Sequence, residues 1–355
     1  MPGRLSIDLQ ALVANYRIFR EASVGGDMAA VVKADAYGLG VEAVAGALWR
    51  AGCTSFFVAD CSEGIRLRRV LADAQIFVFE GPRQETIAAL LQAGLTPVLN
   101  QHDQLRTWQR MAGGAPAAVH LDTGMHRLGF PADVDPADFS GVALTLLMTH
   151  LACADEPAHP LNQLQLQLFA EAAARFRVQF PDLRCSIGNS AAVLGGAEME
   201  RGLGRPGIGL YGGNPLLGAA SPVRPVVTLE GQVLQVRRVG PGESIGYGAT
   251  FQARAPMDVA VVGIGYADGL PRLLSNRGEA YCRGRRCAIV GRVSMDLTAV
   301  DVTGLAIAPG DWLEFMGEHV SLDEVAVWAQ TIPYEILTGL GPRLQRRYLS
   351  SAQST

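Results

Sequence analysis

The sequence predicts an α/β protein, an N-terminal (β/α)8 barrel of the TIM type followed by a mainly β C-terminal domain. Three features of the chain lead there. Short apolar runs alternate with helical patterns eight times over the first 212 residues, and several runs are apolar nearly throughout, as suits parallel strands covered on both faces. Polar residues gather at the ends of those runs and in the loops after them, where a barrel carries its chemistry. Past Tyr211 the pattern changes. Gly212 to Pro225 is rich in Gly, Pro and Ser, and beyond it strands and glycine turns follow one another with few helical segments.

The eight expected barrel strands are Met28 to Lys33, Ser55 to Asp60, Gln75 to Glu80, Thr96 to Asn100, Ala117 to Asp122, Ala143 to His150, Arg184 to Asn189 and Pro206 to Tyr211. Of the helices between them the clearest runs from Leu161 to Phe180. There Leu161, Leu164, Leu168, Ala172 and Phe176 recur at three and four residues while glutamines fill the other face. The second domain is expected to contain strands at Val226 to Arg238, Asp258 to Tyr266, Ala280 to Arg283, Cys287 to Val302 and Trp312 to Met316. A helix near the end starts at Ser321 with Glu324 three residues on, the spacing of a capping box. The expected domains are therefore 1–220, the barrel, and 221–355, the β domain, with the first few residues of the chain joining the latter.

Composition narrows the function. With 30 basic against 34 acidic side chains the formal charge is −4, which offers no basic face to a nucleic acid. No apolar run reaches the length of about 18 residues that a membrane-spanning helix needs. The first residues lack the apolar stretch of a signal peptide, so a cytoplasmic protein is expected. The 6 cysteines are scattered without CxxC pairs and read as reduced thiols, with no metal site implied. Cys282 and Cys287 flank Arg283-Gly284-Arg285-Arg286, which reads as a hairpin turn.

The chain holds 29 arginines and one lysine, Lys33. A bias toward arginine would empty the surface of lysine but has no reason to spare one inside an apolar run. Chemistry closed to arginine does: a Schiff base with a carbonyl needs a primary amine that can lose its proton, and guanidinium stays charged. In Ala30-Val31-Val32-Lys33-Ala34-Asp35-Ala36-Tyr37-Gly38-Leu39-Gly40 that amine sits at the end of a buried strand, where desolvation lowers its pKa.

Other segments carry weaker signals. Asn189-Ser190-Ala191-Ala192 and Arg205-Pro206-Gly207-Ile208-Gly209 suit a phosphate anchor in the last two loops of the barrel, although Ser190 reads equally as a plain helix cap. Arg127, in a glycine-flanked loop after Asp122, suits a carboxylate or a structural salt bridge. His150 ends the sixth strand, as a core histidine or a site residue. Tyr247 lies between Gly246 and Gly248, Tyr266 follows Gly265, and Val293-Ser294-Met295-Asp296 is unremarkable by itself.

Taken in order, these segments resemble the alanine racemase family of fold-type III pyridoxal-phosphate enzymes, over essentially the whole chain. The resemblance rests on Val-Val-Lys-Ala-Asp-Ala-Tyr-Gly around Lys33, Asp-Thr-Gly-Met-His-Arg-Leu-Gly around Arg127, Thr149-His150-Leu151-Ala152, Asn189-Ser190, Arg205-Pro206-Gly207-Ile208, Gly246-Tyr247-Gly248-Ala249-Thr250, Gly265-Tyr266-Ala267-Asp268-Gly269 and Ser294-Met295-Asp296. It implies that Lys33 holds pyridoxal 5′-phosphate and acts as acid and base on one face of the alanine Cα. It implies Tyr247, from the other subunit of a homodimer, on the opposite face. It further implies Arg205 on the pyridine nitrogen and His150 beside Tyr247 and Arg205. Tyr37, Ser190, Gly207 and Ile208 are implied on the phosphate, and Arg127 with the Met295 backbone on the substrate carboxylate. Asp155, Tyr266, Arg272, Arg292 and Asp296 are implied along the access corridor or in support.

Two positions depart from the family pattern. His120 stands where some members carry a carbamylated lysine, so Arg127 must be positioned otherwise. Pro342 falls where a phosphate-binding tyrosine is expected, which implies weaker cofactor retention unless Tyr348 substitutes. The implied activity, interconversion of L- and D-alanine, would supply peptidoglycan precursor or serve alanine catabolism. Its rivals are a serine or broad-specificity racemase, a related decarboxylase, and a non-catalytic binding module that would have no need of Tyr247.

Overall fold

A computed structural model describes residues 3–23, 26–197 and 202–350. The chain divides into two compact units. One comprises Val13–Leu210 with Asn214–Val223, and the other joins the chain's beginning, up to Leu12, to Tyr211–Gly213 and everything from Arg224 on.

The first unit is built on a parallel sheet. Ala30–Val31, Ser55–Val58, Gln75–Val78, Thr96–Leu99, Pro116–Asp122, Ala143–Met148 and Arg184–Ser186 lie side by side in chain order. Nearly every residue of Ser55–Val58, Gln75–Val78 and Thr96–Leu99 is buried, as strands sandwiched between two layers require. Phe57 pairs with Phe77 across the sheet and the rings stack 4.6 Å apart. The ring closes through Leu203–Gly204, which pairs in parallel with Asp27–Met28, and through a bridge between Cys185 and Gly202. Outside, Arg68 donates to the carbonyls of Leu71, Ala72, Ala74, Ala93 and Gly94, so one guanidinium ties the ends of two neighbouring helices.

In two places the barrel differs from the sequence reading. The eighth strand is Leu203–Gly204, and the expected strand Pro206 to Tyr211 is instead a loop and a short 3-10 turn, Ile208–Tyr211. Proline has no N–H to give a neighbouring strand, and the amides of Gly207 and Gly209 donate to Ser190 Oγ instead. The helix Pro160–Gln179 is rotated relative to the expected face. It buries Asn162, Gln165, Phe169, Ala172, Ala173 and Phe176, while Leu164 is 51% exposed. The buried set keeps the three-and-four spacing, but two of its members are amides.

The second unit is mainly β. Its main sheet runs Arg285–Ala288, Glu279–Cys282, Trp312–Met316, Val227–Val239, Gly3–Asp8, Gln345–Leu349, and Met257–Val262 with Thr298–Asp301 extends from Val227–Val239. The first strand of the chain thus lies between two strands from its far end, antiparallel to one and parallel to the other. Arg4 pairs with Glu230 across the strands, Nε to Oε2 at 2.5 Å, and stacks on Trp312. Cys282 and Cys287 flank a tight hairpin whose turn residues Arg283 and Gly284 have φ of 48° and 81°. Ser321 and Glu324 form the expected capping box.

Two expected strands here are shorter than the sequence suggests. The first stops at Val262, before the 3-10 turn Tyr266–Asp268. The run Cys287 to Val302 is interrupted by a turn in which Ser294 Oγ bonds both the amide and the carbonyl of Leu297. All 6 cysteines are free. No helix among the described residues is long and apolar enough to cross a membrane, and none of their His, Cys, Asp and Glu side chains group as metal ligands would.

Candidate active site

The first unit gathers its site residues where the strands end. Val31 N donates to Pro206 O (3.0 Å) and Val32 N to Phe57 O (2.9 Å), which fixes the backbone leading into Lys33. Strand geometry stops there. Lys33 opens a segment in which Ala34, Asp35, Ala36 and Tyr37 take φ of 52–57°, a left-handed turn of four L-residues closed by Gly38. Among the described residues the Lys33 amine makes no hydrogen bond or ion pair, and it lies 5.8 Å from the centre of the Phe79 ring. Burial and the charge of Arg127 hold its pKa below that of a free lysine, and Glu63 opposes them.

Arg127 belongs to an exposed loop wound around Asp122, whose Oδ1 accepts from the amides of Gly124, Met125 and His126 at 2.9, 2.9 and 3.1 Å. A side chain at Gly129, where the loop returns, would bring its Cβ to 2.6 Å from Asp122 N, so only glycine fits. Arg205 is 3% exposed. Its Nη1 donates to Ser186 Oγ and its Nη2 to Thr149 O (2.8 Å), and no carboxylate pairs with it among the described residues. Burial alone pulls its pKa down to about 9, which still leaves it charged at neutral pH. His120, bonded through Nδ1 to Asn100 Oδ1 (3.0 Å), is held at about 4 by burial and by Arg205 and Arg127. Burial and the same two arginines push His150 well below the ordinary histidine range. Arg127 and Arg205, beside two neutral imidazoles, thus supply positive charge at the strand ends, a setting for an anionic ligand.

The anion-anchor segments meet as well. Asn189, and not Ser190, caps the helix Ser190–Leu194, accepting from Ala192 N. Ser190 Oγ instead accepts from Gly207 N (2.9 Å) and Gly209 N (3.2 Å), with its own proton left to donate elsewhere. A Cβ on Gly207 would lie 2.3 Å from the Tyr37 hydroxyl oxygen, so Tyr37 and Ser190 both meet Gly207, and Ile208 beside it is buried. Asp155 accepts from Leu217 N through its carbonyl (2.9 Å).

The second unit carries the remaining residues on exposed loops. Tyr247 begins the 3-10 turn Tyr247–Ala249 between two glycines of positive φ and is 73% exposed. With Arg292, Arg237, Ile245, Ser294 and Leu297 it lines a cleft of about 540 Å³. Gly265 lets two loops touch, since a Cβ there would come within 2.3 Å of Ser294 O. Tyr266 N and Ala267 N donate to Ser294 O and Met295 O, both at 3.0 Å, which sets Met295 with its own amide donating to none of the described residues. Asp296 is held by Arg343 Nη1 (2.8 Å), and the same guanidinium binds Asp268. Arg272 opens the short turn Arg272–Leu274. Pro342 is exposed, and Tyr348 lies on the edge strand Gln345–Leu349, paired with Ile7.

Several residues that organise the site were not singled out in the sequence. Gln165, fully buried, accepts from Ala152 N (2.9 Å) and donates to Thr123 Oγ1 (3.2 Å) and His150 O (3.1 Å). Thr123 Oγ1 lies 2.8 Å from Thr149 Oγ1, and Thr149 O meets Arg205, so one buried network runs from the outer helix to the arginine. Ser186 and Glu63 belong with these. The signal for Gln165 was its place in the three-and-four rhythm of its helix.

Comparison with known proteins fits this arrangement. The family model for the alanine racemase N-terminal domain matches residues 7–215, and that for the alanine racemase C-terminal domain matches residues 226–348. An alanine racemase of Rhodospirillum rubrum is 47% identical over 97% of this chain and 95% of its own. Agrobacterium fabrum has a catabolic alanine racemase at 42% identity (99% and 93% covered) and a biosynthetic one at 40% (98% and 94%). The crystal structure of the Bartonella henselae alanine racemase, which has covalently bound pyridoxal phosphate, superposes with a TM-score of 0.91 at 37% identity, covering 98% of this chain and 100% of that one. These matches define an isomerase acting on amino acids. The chain belongs to the alanine racemase family.

Proposed function

We propose that this chain interconverts L- and D-alanine with pyridoxal phosphate held at Lys33, and that Lys33 and Tyr247 exchange the Cα proton from opposite faces. The observation that carries the reading is the single lysine of the whole chain, half-buried at a barrel strand end and with no ion pair among the described residues to keep it charged. The residues around it suit the cofactor. Arg205 is a buried cation with no carboxylate partner among the described residues, and Ser190 Oγ, which accepts from Gly207 N and Gly209 N, has a proton to donate to an anionic oxygen.

Pyridoxal phosphate, when bound, supplies an aldehyde that condenses with an amine and a ring that takes electron density from Cα. Lys33, its pKa held below that of a free lysine by burial, would hold the cofactor and give and take the Cα proton. Arg205 would donate a hydrogen bond to the cofactor's ring nitrogen without giving up its proton, because even at a pKa of about 9 it stays charged at neutral pH. That limits the charge drawn into the ring and with it side reactions such as transamination. Ser190, Tyr37, Gly207 and Ile208 hold the phosphate. Arg127 would hold the substrate carboxylate together with the Met295 amide of a second copy of the chain, and neutral His150 would accept from that copy's Tyr247 hydroxyl.

A phenol that is 73% exposed keeps its hydroxyl in water, and that hydroxyl meets no hydrogen-bond partner among the described residues. Tyr247 therefore serves as a base only when covered, and a second copy of the chain is the proposed cover, each subunit completing the other's site. Asp155, Tyr266, Arg272, Arg292 and Asp296 would frame the approach.

Loss of optical rotation from L-alanine, run beside L-serine and L-lysine with and without added pyridoxal phosphate, tests the reading. Racemisation of alanine alone is expected, and dependence on added cofactor would match the missing tyrosine at Pro342. Bound cofactor with no loss of rotation from any of the three would sink it.

A further inference from the structure

A left-handed turn of four non-glycine residues directly after the amine needs outside support. Left-handed backbone is strained for an L-residue, so this segment holds its shape only if neighbours over-determine it. The support comes from one side chain on the helix Cys61–Val70, which follows the neighbouring strand Ser55–Val58. Glu63 Oε1 accepts from Ala34 N at 2.6 Å, and Oε2 accepts from Ala59 N at 2.8 Å. Asp60 in turn caps the helix Cys61–Val70 by accepting from Glu63 N (3.0 Å), which fixes where the carboxylate starts. Further along, Asp35 Oδ1 accepts from Val41 N (2.9 Å) and pairs with Arg66 (3.0 Å). Lys33 is thereby pinned on both sides, through Val32 to Phe57 and through Ala34 to Glu63.

We propose that Glu63 is a positioning residue for Lys33, clamping the turn that follows the amine and keeping a negative charge within its reach. The role rests on the reading of Lys33 as acid and base. Such a group must hold a proton part of the time, yet the cation Arg127 opposes its charged form. Neutral His150 adds no compensating charge, and among the groups that act on the amine Glu63 alone favours the ammonium. Both jobs fall to one carboxylate because its two oxygens face two amides while its charge remains unneutralised by any ion pair among the described residues.

The single lysine makes the test direct. Reductive methylation of the cofactor-free full chain with 13C-formaldehyde labels only Lys33 and the N-terminal amine, and NMR titration follows each. Glu63→Gln keeps the size but not the charge and should lower the Lys33 midpoint by about half a unit or more, roughly threefold in the protonation constant. Glu63→Asp, which keeps the charge, should give a midpoint between that value and the wild-type one. A Glu63→Gln midpoint indistinguishable from wild type overturns the proposal. Hydrogen exchange on unaltered protein tests the clamp even if the variant does not fold. The Ala34 amide, on an exposed residue, should be protected at least about tenfold, and exchange at the free-peptide rate overturns it. Neither readout involves racemisation. A shifted midpoint with no racemase activity in wild type would fault the functional reading and leave this one standing.

Discussion

The strand ends of the barrel unit and the loops of the β-rich unit hold their reactive groups in opposite ways. Arg205 and His120 are buried and His150 is largely enclosed, and the proton affinities of all three are already displaced by their own surroundings. Tyr247 and Met295 are 73% and 52% exposed, and neither the tyrosine hydroxyl nor the methionine amide donates to any described residue. The contrast teaches that burial and tuning go together. A group prepared inside its own unit is committed to its role on folding, whereas one presented on a loop takes its chemistry from whatever covers it.

Four changes would break or sharpen that contrast. Lys33→Arg should abolish racemisation by at least about 10⁴-fold, since guanidinium neither forms the imine nor gives up its proton, and the cofactor's absorbance should no longer show a protein-bound form. Tyr247→Phe should lower kcat by about 10³-fold with the cofactor spectrum unchanged, because its hydroxyl acts only once a second copy of the chain covers it.

Acid sensitivity should come from the barrel unit. The folded pKa of His120 is depressed from 6.5 to about 4, so its contribution to stability is complete above pH 6.5 and is lost as pH falls toward 4. The loss is on the order of 3 kcal/mol, visible as a falling urea midpoint, and His120→Asn should flatten it. Gln165→Leu should cost about 2 kcal/mol in urea unfolding by stranding Ala152 N and Thr123. It should also reduce kcat/KM modestly through the displaced His150 and Arg205.

The barrel was legible because parallel strands, buried on both faces, leave continuous apolar runs, although the run Pro206 to Tyr211 imitates one without being a strand. Ser55–Val58 and Thr96–Leu99 announce themselves, whereas Leu203–Gly204 is two residues long and carries no pattern. Lys33 stood out by being alone among arginines. Gln165 did not, because hydropathy assigns an amide to water and cannot see that three backbone and hydroxyl partners await it inside. Glu63 was invisible for a related reason: its partners, Ala34 and Ala59, are backbone amides whose sequence says nothing about where they point. Sequence spacing registers side chains that repeat along an element better than those that reach between elements.

The left-handed turn after Lys33 has a consequence for engineering this protein. Glycine would adopt φ of 52–57° without strain, so Ala34→Gly or Ala36→Gly removes a local penalty at positions where alanine is usually the better choice. The gain is offset by the greater freedom of glycine in the unfolded chain, leaving a net change within about 1 kcal/mol. What glycine takes away is stiffness: the segment could then wander among conformations that alanine forbids. A consensus or thermostability screen that scores melting temperature alone would accept such a change, and turnover would reveal what it had discarded.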